Sequence, residues 1–408
     1  MAHMPALYLL PLPQDPPESG RVILRDGTTA IIRLAQPSDV GLLREFIAGL
    51  SPESRLRRFF SAGARGDDTM ARLADSSDPR RQVTLIVTRG EGSAVRVIAT
   101  GSYVALDDES AEVAMVVADV FQGRGLGQVL LERLSLIAVR NGMRHFRAVT
   151  QSDNYAMLDV FRDSGFACKE QEAEGYVEVD LFVVPSRASV EQSEMRERVA
   201  TVASLRPFFR PRSVMVVGGP RDAQGVGYRV LEALVLGGFT GPVYPVNLDG
   251  RAVGSERAFA SVAQVPGRVD LAVIAAPREA VLSVVDECGE KGVRAVVVVT
   301  AGFAESGAQG GVLQAKLVEK VRGYGMRMIG PNCLGVINAD PAVSLNASYS
   351  PIFPLFGRVA MSSQSGALGP AIIAHTRELN LGLSTFAGIG NKADVSGNDL
   401  LQYWEEDP

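Results

Sequence analysis

The chain has 408 residues, of which 46% are hydrophobic and 21% charged, and carries a net charge of −5. Such values suit an ordinary globular protein with room for about two to three domains of roughly 150 residues. They exclude a general electrostatic pull toward nucleic acid, and no apolar run approaches the ~18 residues of a membrane span. Cys168, Cys288 and Cys333 are far apart and odd in number, so no disulfide framework is expected and a reducing cytoplasm is the natural setting. The histidines never fall at ligand spacing, and no metal is expected.

Residues 1–20 are Pro-rich and are expected to form a disordered tail. Thr29–Leu34 reads as a strand, Ser38–Gly49 as a helix capped by Ser38, and Gln82–Thr88 as a second strand. Ala94–Leu106 and Glu112–Ala118 continue as a meander around the turn-like Asp107-Asp108-Glu109. A long amphipathic helix starts near Gly125 and runs to about Arg140. Arg144–Thr150 is then a strand, Asn154–Asp163 a helix and Tyr176–Val183 a closing strand. The polar stretch Ser186–Leu205 is a linker or an exposed helix.

The pattern then changes. Ser213–Val217, Val243–Val246, Leu271–Ala275, Ala295–Val299 and Met328–Ile329 are short continuous apolar runs between glycines, with helical stretches between them. Strands of this kind are buried on both faces, the mark of a doubly wound parallel sheet. Near Gly357 a further unit begins with strand Arg358–Met361, a Ser/Gly turn and a helix. The sequence reads as holding only the start of that unit.

The most informative stretch is the apolar strand that enters Gln122-Gly123-Arg124-Gly125-Leu126-Gly127 and passes directly into a helix. Glycines let a diphosphate approach the backbone, and a helix N-terminus supplies unpaired N–H groups and partial positive charge. Arg124 can add a full charge. The plainer reading of a bare Gly-x-Gly is an ordinary strand–helix turn.

In context the stretch resembles the acyl-CoA-binding signature of the GNAT acetyltransferase superfamily, (Q/R)-x-x-G-x-(G/A), matched by Gln122, Gly125 and Gly127. About 30 residues on, Asn154 matches the asparagine that meets the CoA arm, and Gly165-Phe166 matches the closing pair of the family. The resemblance spans about residues 21–184. Ser51-Pro52-Glu53-Ser54-Arg55, Arg57-Arg58-Phe59-Phe60 and Ala111-Glu112-Val113-Ala114 further resemble bacterial protein acetyltransferases of the Pat type. These join a GNAT domain to an acyl-CoA synthetase-like region and acetylate a lysine of acetyl-CoA synthetase.

That resemblance implies acetyl-CoA (or another short acyl-CoA) as donor, a protein acceptor, and Glu112 as the base that deprotonates a lysine ammonium. A solvent-facing strand glutamate is the alternative for Glu112. An oxyanion would be held by the strand amides of Met115, Val116 and Val117. Gln122, Gly123, Arg124, Gly125, Leu126, Gly127 and Asn154 would hold the cofactor. Many GNAT enzymes carry a tyrosine before the closing Gly-Phe as an acid for the leaving thiolate; Phe161 stands there, so no separate acid is expected. Arg55, Arg57 and Arg58 either steer an acidic protein face or solvate a helix.

The second half resembles the CoA-binding domain of NDP-forming acyl-CoA synthetases and succinyl-CoA ligase α subunits. The stretches that carry this are Gly218-Gly219-Pro220, Pro245-Val-Asn247, Ala275-Ala-Pro277, Thr300-Ala-Gly-Phe303 and Gly330-Pro-Asn332-Cys333. Ser363-Gln-Ser365-Gly366 and Gly390-Asn-Lys-Ala-Asp394 resemble the start of the ligase domain. A second CoA site at Gly218, Gly219, Asn247, Pro277 and Asn332 is implied. Gly-Gly-Pro in place of Gly-Ala-Ser, and Leu248-Asp249 in place of Pro and a basic residue, weaken it. Cys333 reads as a buried structural thiol. A synthetase needs a phosphate-carrying histidine in a Gly-rich loop, and His375 lies mid-helix.

The expected architecture is therefore α/β. A tail (1–20) precedes a GNAT domain (21–185), a linker (186–209), a Rossmann-type doubly wound parallel-sheet CoA-binding domain (210–345) and the start of a flavodoxin-like ligase domain (355–408). The expected activity is acyl transfer to a protein lysine, with the Rossmann half regulating the enzyme or docking its substrate. A homo-oligomer is compatible with the sequence; nucleic-acid and membrane partners are not expected. A small-amine acetyltransferase, a non-catalytic acyl-CoA sensor and a synthetase subunit are the alternatives, the last ranked lowest.

Overall fold

In the first sheet the central strands are buried on both faces and the later strands His145–Gln151 and Tyr176–Phe182 alternate, while unbroken apolar runs build most of the second. The computed structural model describes residues 16–60, 67–218, 225–247 and 258–407. These fold into two compact units, one reaching to Ala200 (Gly27–Thr29 apart) and one from Thr201 onward.

The first unit runs β1 (Ser19–Ile23), β2 (Thr29–Leu34), α1 (Val40–Gly49), α2 (Pro52–Phe59), α3 (Asp67–Leu73), β3 (Gln82–Arg89), β4 (Arg96–Ala105) and β5 (Ser110–Val117). It continues with α4 (Leu126–Arg140), β6 (His145–Gln151), α5 (Tyr155–Arg162), β7 (Ala167–Ala173), β8 (Tyr176–Phe182) and the first part of α6 (Arg187–Phe209). The eight strands lie in the order β1-β2-β3-β4-β5-β6-β8-β7. β5 and β6 are parallel, joined through α4; the pairs β2–β3, β3–β4, β4–β5, β6–β8 and β7–β8 are antiparallel.

One face of this sheet packs against α4 and α5. Leu126, Val129, Leu130, Leu134, Ile137 and Ala138 recur along α4 at helical spacing and are all buried. On the other face, Leu43, Phe46 and Ile47 of α1 and Met70 of α3 cover Ile86, Val97 and Val116. Beyond β5 that second face is open: β6 and β8 bury only alternate residues and expose Arg147, Val149, Tyr176, Glu178 and Phe182.

Two local expectations change. The cap before α1 is not Ser38. A single 3-10 turn (Pro37–Asp39) precedes the helix, and the Asp39 carboxylate accepts the Gln36 N–H at 2.8 Å and both Arg33 guanidinium nitrogens at 2.6 and 2.7 Å. Arg33 in turn holds Asp39 below the usual carboxylate range, against the opposing effect of burial. The expected tail overlaps β1, which begins at Ser19. The stretch expected as a linker or an exposed helix is helix α6, its residues divided between the units after Ala200.

The second unit contains β9 (Val214–Val217), α7 (Val226–Leu236), β10 (Val243–Val246), β11 (Leu271–Ile274), α8 (Val281–Lys291), β12 (Ala295–Val298), α9 (Ala308–Gly323) and β13 (Arg327–Ile329). Their five strands form a parallel sheet in the order β10-β9-β11-β12-β13, the doubly wound topology. β9, β11 and β12 are buried at every position, as unbroken Val/Ile/Leu-rich runs require, and β13 is buried too although it opens on Arg327. Next come β14 (Gly335–Asn338), β15 (Leu345–Ser348), β16 (Phe356–Ser363), α10 (Leu368–Glu378), β17 (Leu383–Gly388) and α11 (Gly397–Glu405). These four strands form a mixed sheet, β15-β14-β17-β16, in which only β16 and β17 are parallel. β14 and β15 thus share a sheet with the ligase-like segment, although they precede it in the expected division.

Candidate active site

β5 and β6 pair over three positions only: Ser110 with His145, Ala111 with Phe146 and Glu112 with Arg147. Past Glu112 they part, while β5 keeps pairing with β4 as far as Val117 and β6 keeps pairing with β8 as far as Gln151. A parallel pair that splits in this way leaves a wedge lined by backbone groups of Val113–Val117 and Ala148–Gln151. Those groups still need partners, and an extended, amide-bearing ligand arm can supply them as an added strand would. Met115, Val116 and Val117 lie along this wedge, and Asn154 follows the exit of β6.

The wedge widens toward the carboxyl ends of both strands, where the Gln122–Gly127 turn leads into α4. Gly123 and Gly125 adopt φ of +73° and +84°, and Gly125 is the N-cap of α4, with no side chain among the described residues bonding its first-turn amides. The N–H groups of that first turn are free to meet an anion. A Cβ on Gly125 would sit 3.3 Å from Arg25 Cγ, and one on Gly127 would sit 3.0 Å from Val160 Cγ2. Gly125→Ala is expected to cost about 1–3 kcal/mol, from the left-handed backbone and the contact with Arg25. Thermal unfolding checks this, and an unchanged midpoint would mean the turn relaxes freely.

Arg124 is less available than its place in the motif suggests. It pairs with Asp26 at 2.8 Å, donates to the Val120 carbonyl at 3.0 Å and lies 4.9 Å from the Phe121 ring. Leu126 is buried against the core and anchors the helix. Gln122 Nε2 donates to the Val117 carbonyl and to Ser54 Oγ, each at 3.2 Å. The Asn154 side chain is buried, with Nδ2 donating to Thr150 Oγ1 at 2.9 Å.

Glu112 is exposed at the last paired position before the wedge and has no hydrogen-bond or ion-pair partner among the described residues. It faces the same side of the sheet as Val104, Arg147 and, one alternation along β5, Ala114. Phe161 is 2% exposed in the core, so it offers the wedge neither a hydroxyl nor a surface.

Two contacts were not legible beforehand. Asp119, in the 3-10 turn after β5, accepts hydrogen bonds from the hydroxyls of Ser51 and Ser54 and from the Ser51 N–H. Arg58 reaches β4, donating to Ser102 Oγ at 3.2 Å. The Ser-Pro-Glu start of α2 signalled the Ser51 cap, but nothing local pointed to Asp119.

In the second unit, Gly218, Asn247, Pro277 and Asn332 all follow the carboxyl ends of parallel strands, as a nucleotide site on this topology requires; Gly219 lies outside the described residues. Gly218 has φ +96°, and a Cβ there would meet the Ala275 backbone at 2.5 Å. The Asn247 N–H donates to the Phe259 carbonyl, and Asn332 Nδ2 donates to Asn391 Oδ1 at 3.4 Å. Cys333 is buried, with Sγ 3.2 Å from the Val298 carbonyl, and burial pushes its thiol up to about 12. It is no nucleophile at neutral pH. His375 is a surface residue of α10, 3.3 Å from Glu378. Among the described residues no cluster of His, Cys, Asp or Glu could hold a metal ion, and no helix is long and apolar enough to cross a membrane.

Comparison with known families matches residues 53–166 to the acetyltransferase (GNAT) family, residues 212–339 to a CoA-binding domain and residues 356–408 to the succinyl-CoA ligase-like flavodoxin domain. A curated acetyltransferase of Pseudomonas aeruginosa is 31% identical over 144 residues, 35% of this chain and 77% of that protein. The α subunit of ADP-forming acetate–CoA ligase I from Pyrococcus furiosus is 40% identical over 208 residues, 50% of this chain and 45% of the subunit. The chain thus spans less than half the length of that ligase relative. A solved GNAT domain of S. lividans PAT is 31% identical over 40% of this chain and 95% of its own, with a TM-score of 0.36.

Proposed function

Because this chain belongs, through its first unit, to the GNAT acetyltransferase family, we propose that it moves an acetyl or other short acyl group from CoA to a protein lysine, as enzymes of the Pat type do. The observation that carries this reading is the wedge between β5 and β6, with the acyl-CoA turn at its mouth and the free carboxylate of Glu112 where it begins. The pantetheine arm lies against β5, and its pyrophosphate lies on the free amides at the start of α4. Glu112 takes a proton from the lysine ammonium, directly or through water. The amine nitrogen attacks the thioester carbonyl, whose oxygen is held by amides of Met115–Val117. The C–S bond then breaks as the amide forms, and the thiolate collects its proton from water or from the substrate amine, since Phe161 offers none.

The test is transfer of labelled acetyl from acetyl-CoA to purified acetyl-CoA synthetase, the acceptor implied by the Pat resemblance. Label on one or a few lysines is the expected result. Labelling of polyamines with no protein labelled would move the acceptor to a small amine, and binding without turnover would leave an acyl-CoA sensor.

A second reading draws on the 40% identity of the other half to an ADP-forming ligase α subunit. Ranked lowest on the sequence alone, it gains from that relative: the chain would act with a nucleotide-binding partner as part of an acyl-CoA synthetase. Release of CoA from acetyl-CoA that requires ADP and phosphate would favour it; acetyl transfer independent of both would favour the first.

A further inference from the structure

Helix α2 is tied at both ends to elements that frame the wedge. At its start, Ser51 Oγ and Ser54 Oγ donate to Asp119 Oδ1 at 2.8 and 2.7 Å, and the Ser51 N–H donates to Asp119 Oδ2 at 3.0 Å. At its end, Arg58 donates to Ser102 Oγ on β4, beside Ala114 of β5 and one alternation from Glu112. Asp119 itself precedes the signature glutamine by three residues in the turn that carries it.

The direction of these bonds matters more than their number. An ionised carboxylate only accepts, so the Ser54 hydroxyl must spend its one hydrogen on Asp119. Its remaining lone pairs then face Gln122, whose Nε2 donates to them at 3.2 Å. The same Nε2 donates to the Val117 carbonyl, so the Gln122 amide is held in one of its two flips, with Oε1 directed away from both partners. Although burial pushes the Asp119 carboxyl up, the bonds from Ser51 and Ser54 outweigh it and keep it ionised at neutral pH.

We propose that Asp119 is a positioning residue for acyl-CoA: through Ser54 it sets the orientation of the Gln122 amide and locks α2 against the donor-binding turn. The assignment rests on the acetyltransferase reading above. Asparagine at position 119 is nearly the same size but can donate, which lets Ser54 turn its hydrogen toward Gln122 and frees the amide to flip. Ser54→Ala removes the same relay from its middle, whereas Ser54→Thr keeps the hydroxyl.

The experiment measures acetyl-CoA binding by calorimetry, together with acetyl-transfer kinetics, on the full chain and these variants. Asp119→Asn and Ser54→Ala should each weaken acetyl-CoA binding about ten-fold, as expected when the binding orientation of the Gln122 region falls to roughly a tenth of the population. The double variant should be little worse than either, and Ser54→Thr should bind like the wild type. The loss should fall on Kd and KM for the donor, with kcat held within about three-fold. Asp119→Asn that binds within two-fold of the wild type, folded by circular dichroism, overturns the proposal. So does Ser54→Thr as damaging as Ser54→Ala, which would mark a packing role alone. Wild-type protein that fails to bind acetyl-CoA at all overturns the acetyltransferase reading, and this inference with it.

Discussion

Glu112→Gln should lower kcat for lysine acetylation by at least ~100-fold while leaving acetyl-CoA binding unchanged, because general-base catalysis contributes about 10²–10⁴-fold. The side chain is exposed and touches no polar partner among the described residues, so the substitution removes a proton acceptor and little else. A lysine ammonium near its ordinary pKa of ~10.4 is almost wholly protonated at neutral pH. Without a base, the reaction must wait for the rare free amine. The variant's rate should therefore climb about ten-fold per pH unit on the alkaline side, narrowing its gap to the wild type. Initial rates with a lysine-bearing acceptor across pH 7–9.5 read this directly, on the order of two to three pH units being enough to see the slope. A variant as fast as the wild type at neutral pH would return Glu112 to an ordinary surface glutamate.

The parts of this protein that were legible in its sequence are those set by neighbours a few residues apart. The Gln122–Gly127 turn and the start of α4 are local geometry, so glycine spacing located them. The parallel strands β9, β11 and β12 are buried on both faces, and their unbroken apolar runs say so. β7 escaped because it is a polar edge strand whose residues, Lys169 to Glu172, are exposed and carry no apolar alternation. β14 and β15 escaped because four-residue strands ending in Asn338 and Ser348 hardly differ from loop. Ser38 was the natural cap on chemistry alone, but the helix proper starts after Asp39, whose carboxylate bonds Arg33 and the Gln36 N–H and no amide of α1.

The candidate site divides in the same way. Its loop was readable, but its wedge depends on where two strands stop pairing, and its clamp joins Ser54 to Asp119 across 65 positions. No local pattern encodes such a contact. Arg124 shows a further long-range term, since the residue that the motif offers to an anion is paired with Asp26, 98 positions away.

The largest effect on stability is expected from Arg327→Ala. Arg327 opens β13, is 0% exposed, and directs all three guanidinium nitrogens at partners: Nε to Asp394 at 3.0 Å, Nη1 to Ser204 Oγ at 2.8 Å and Nη2 to Asp399 at 3.1 Å. Burial alone would push the guanidinium down, but Asp394 and Asp399 outweigh it and hold the group charged. Asp394 also accepts the Met328 N–H at 3.0 Å, while Asp399 forms the capping box of α11 with Ser396. One side chain therefore joins α6, the parallel sheet and the segment leading into α11. Removing it takes the shortest ion pair from the fully buried carboxylate of Asp394, which keeps a longer one to Arg322 at 3.7 Å and the Met328 N–H, and breaking a buried pair from one side costs about 3–5 kcal/mol. For a unit of this size that is roughly 6–20 °C in the melting of the second unit. Arg327→Met should lose less than alanine by keeping volume, and adding Asp394→Asn should recover part of the loss, since much of the penalty lies in a buried charge that has lost its nearest counter-ion. Calorimetric unfolding of the three variants separates these terms. A shift below about 1 kcal/mol for Arg327→Ala would mean that water enters and solvates Asp394, and that packing, not this network, holds the segment in place.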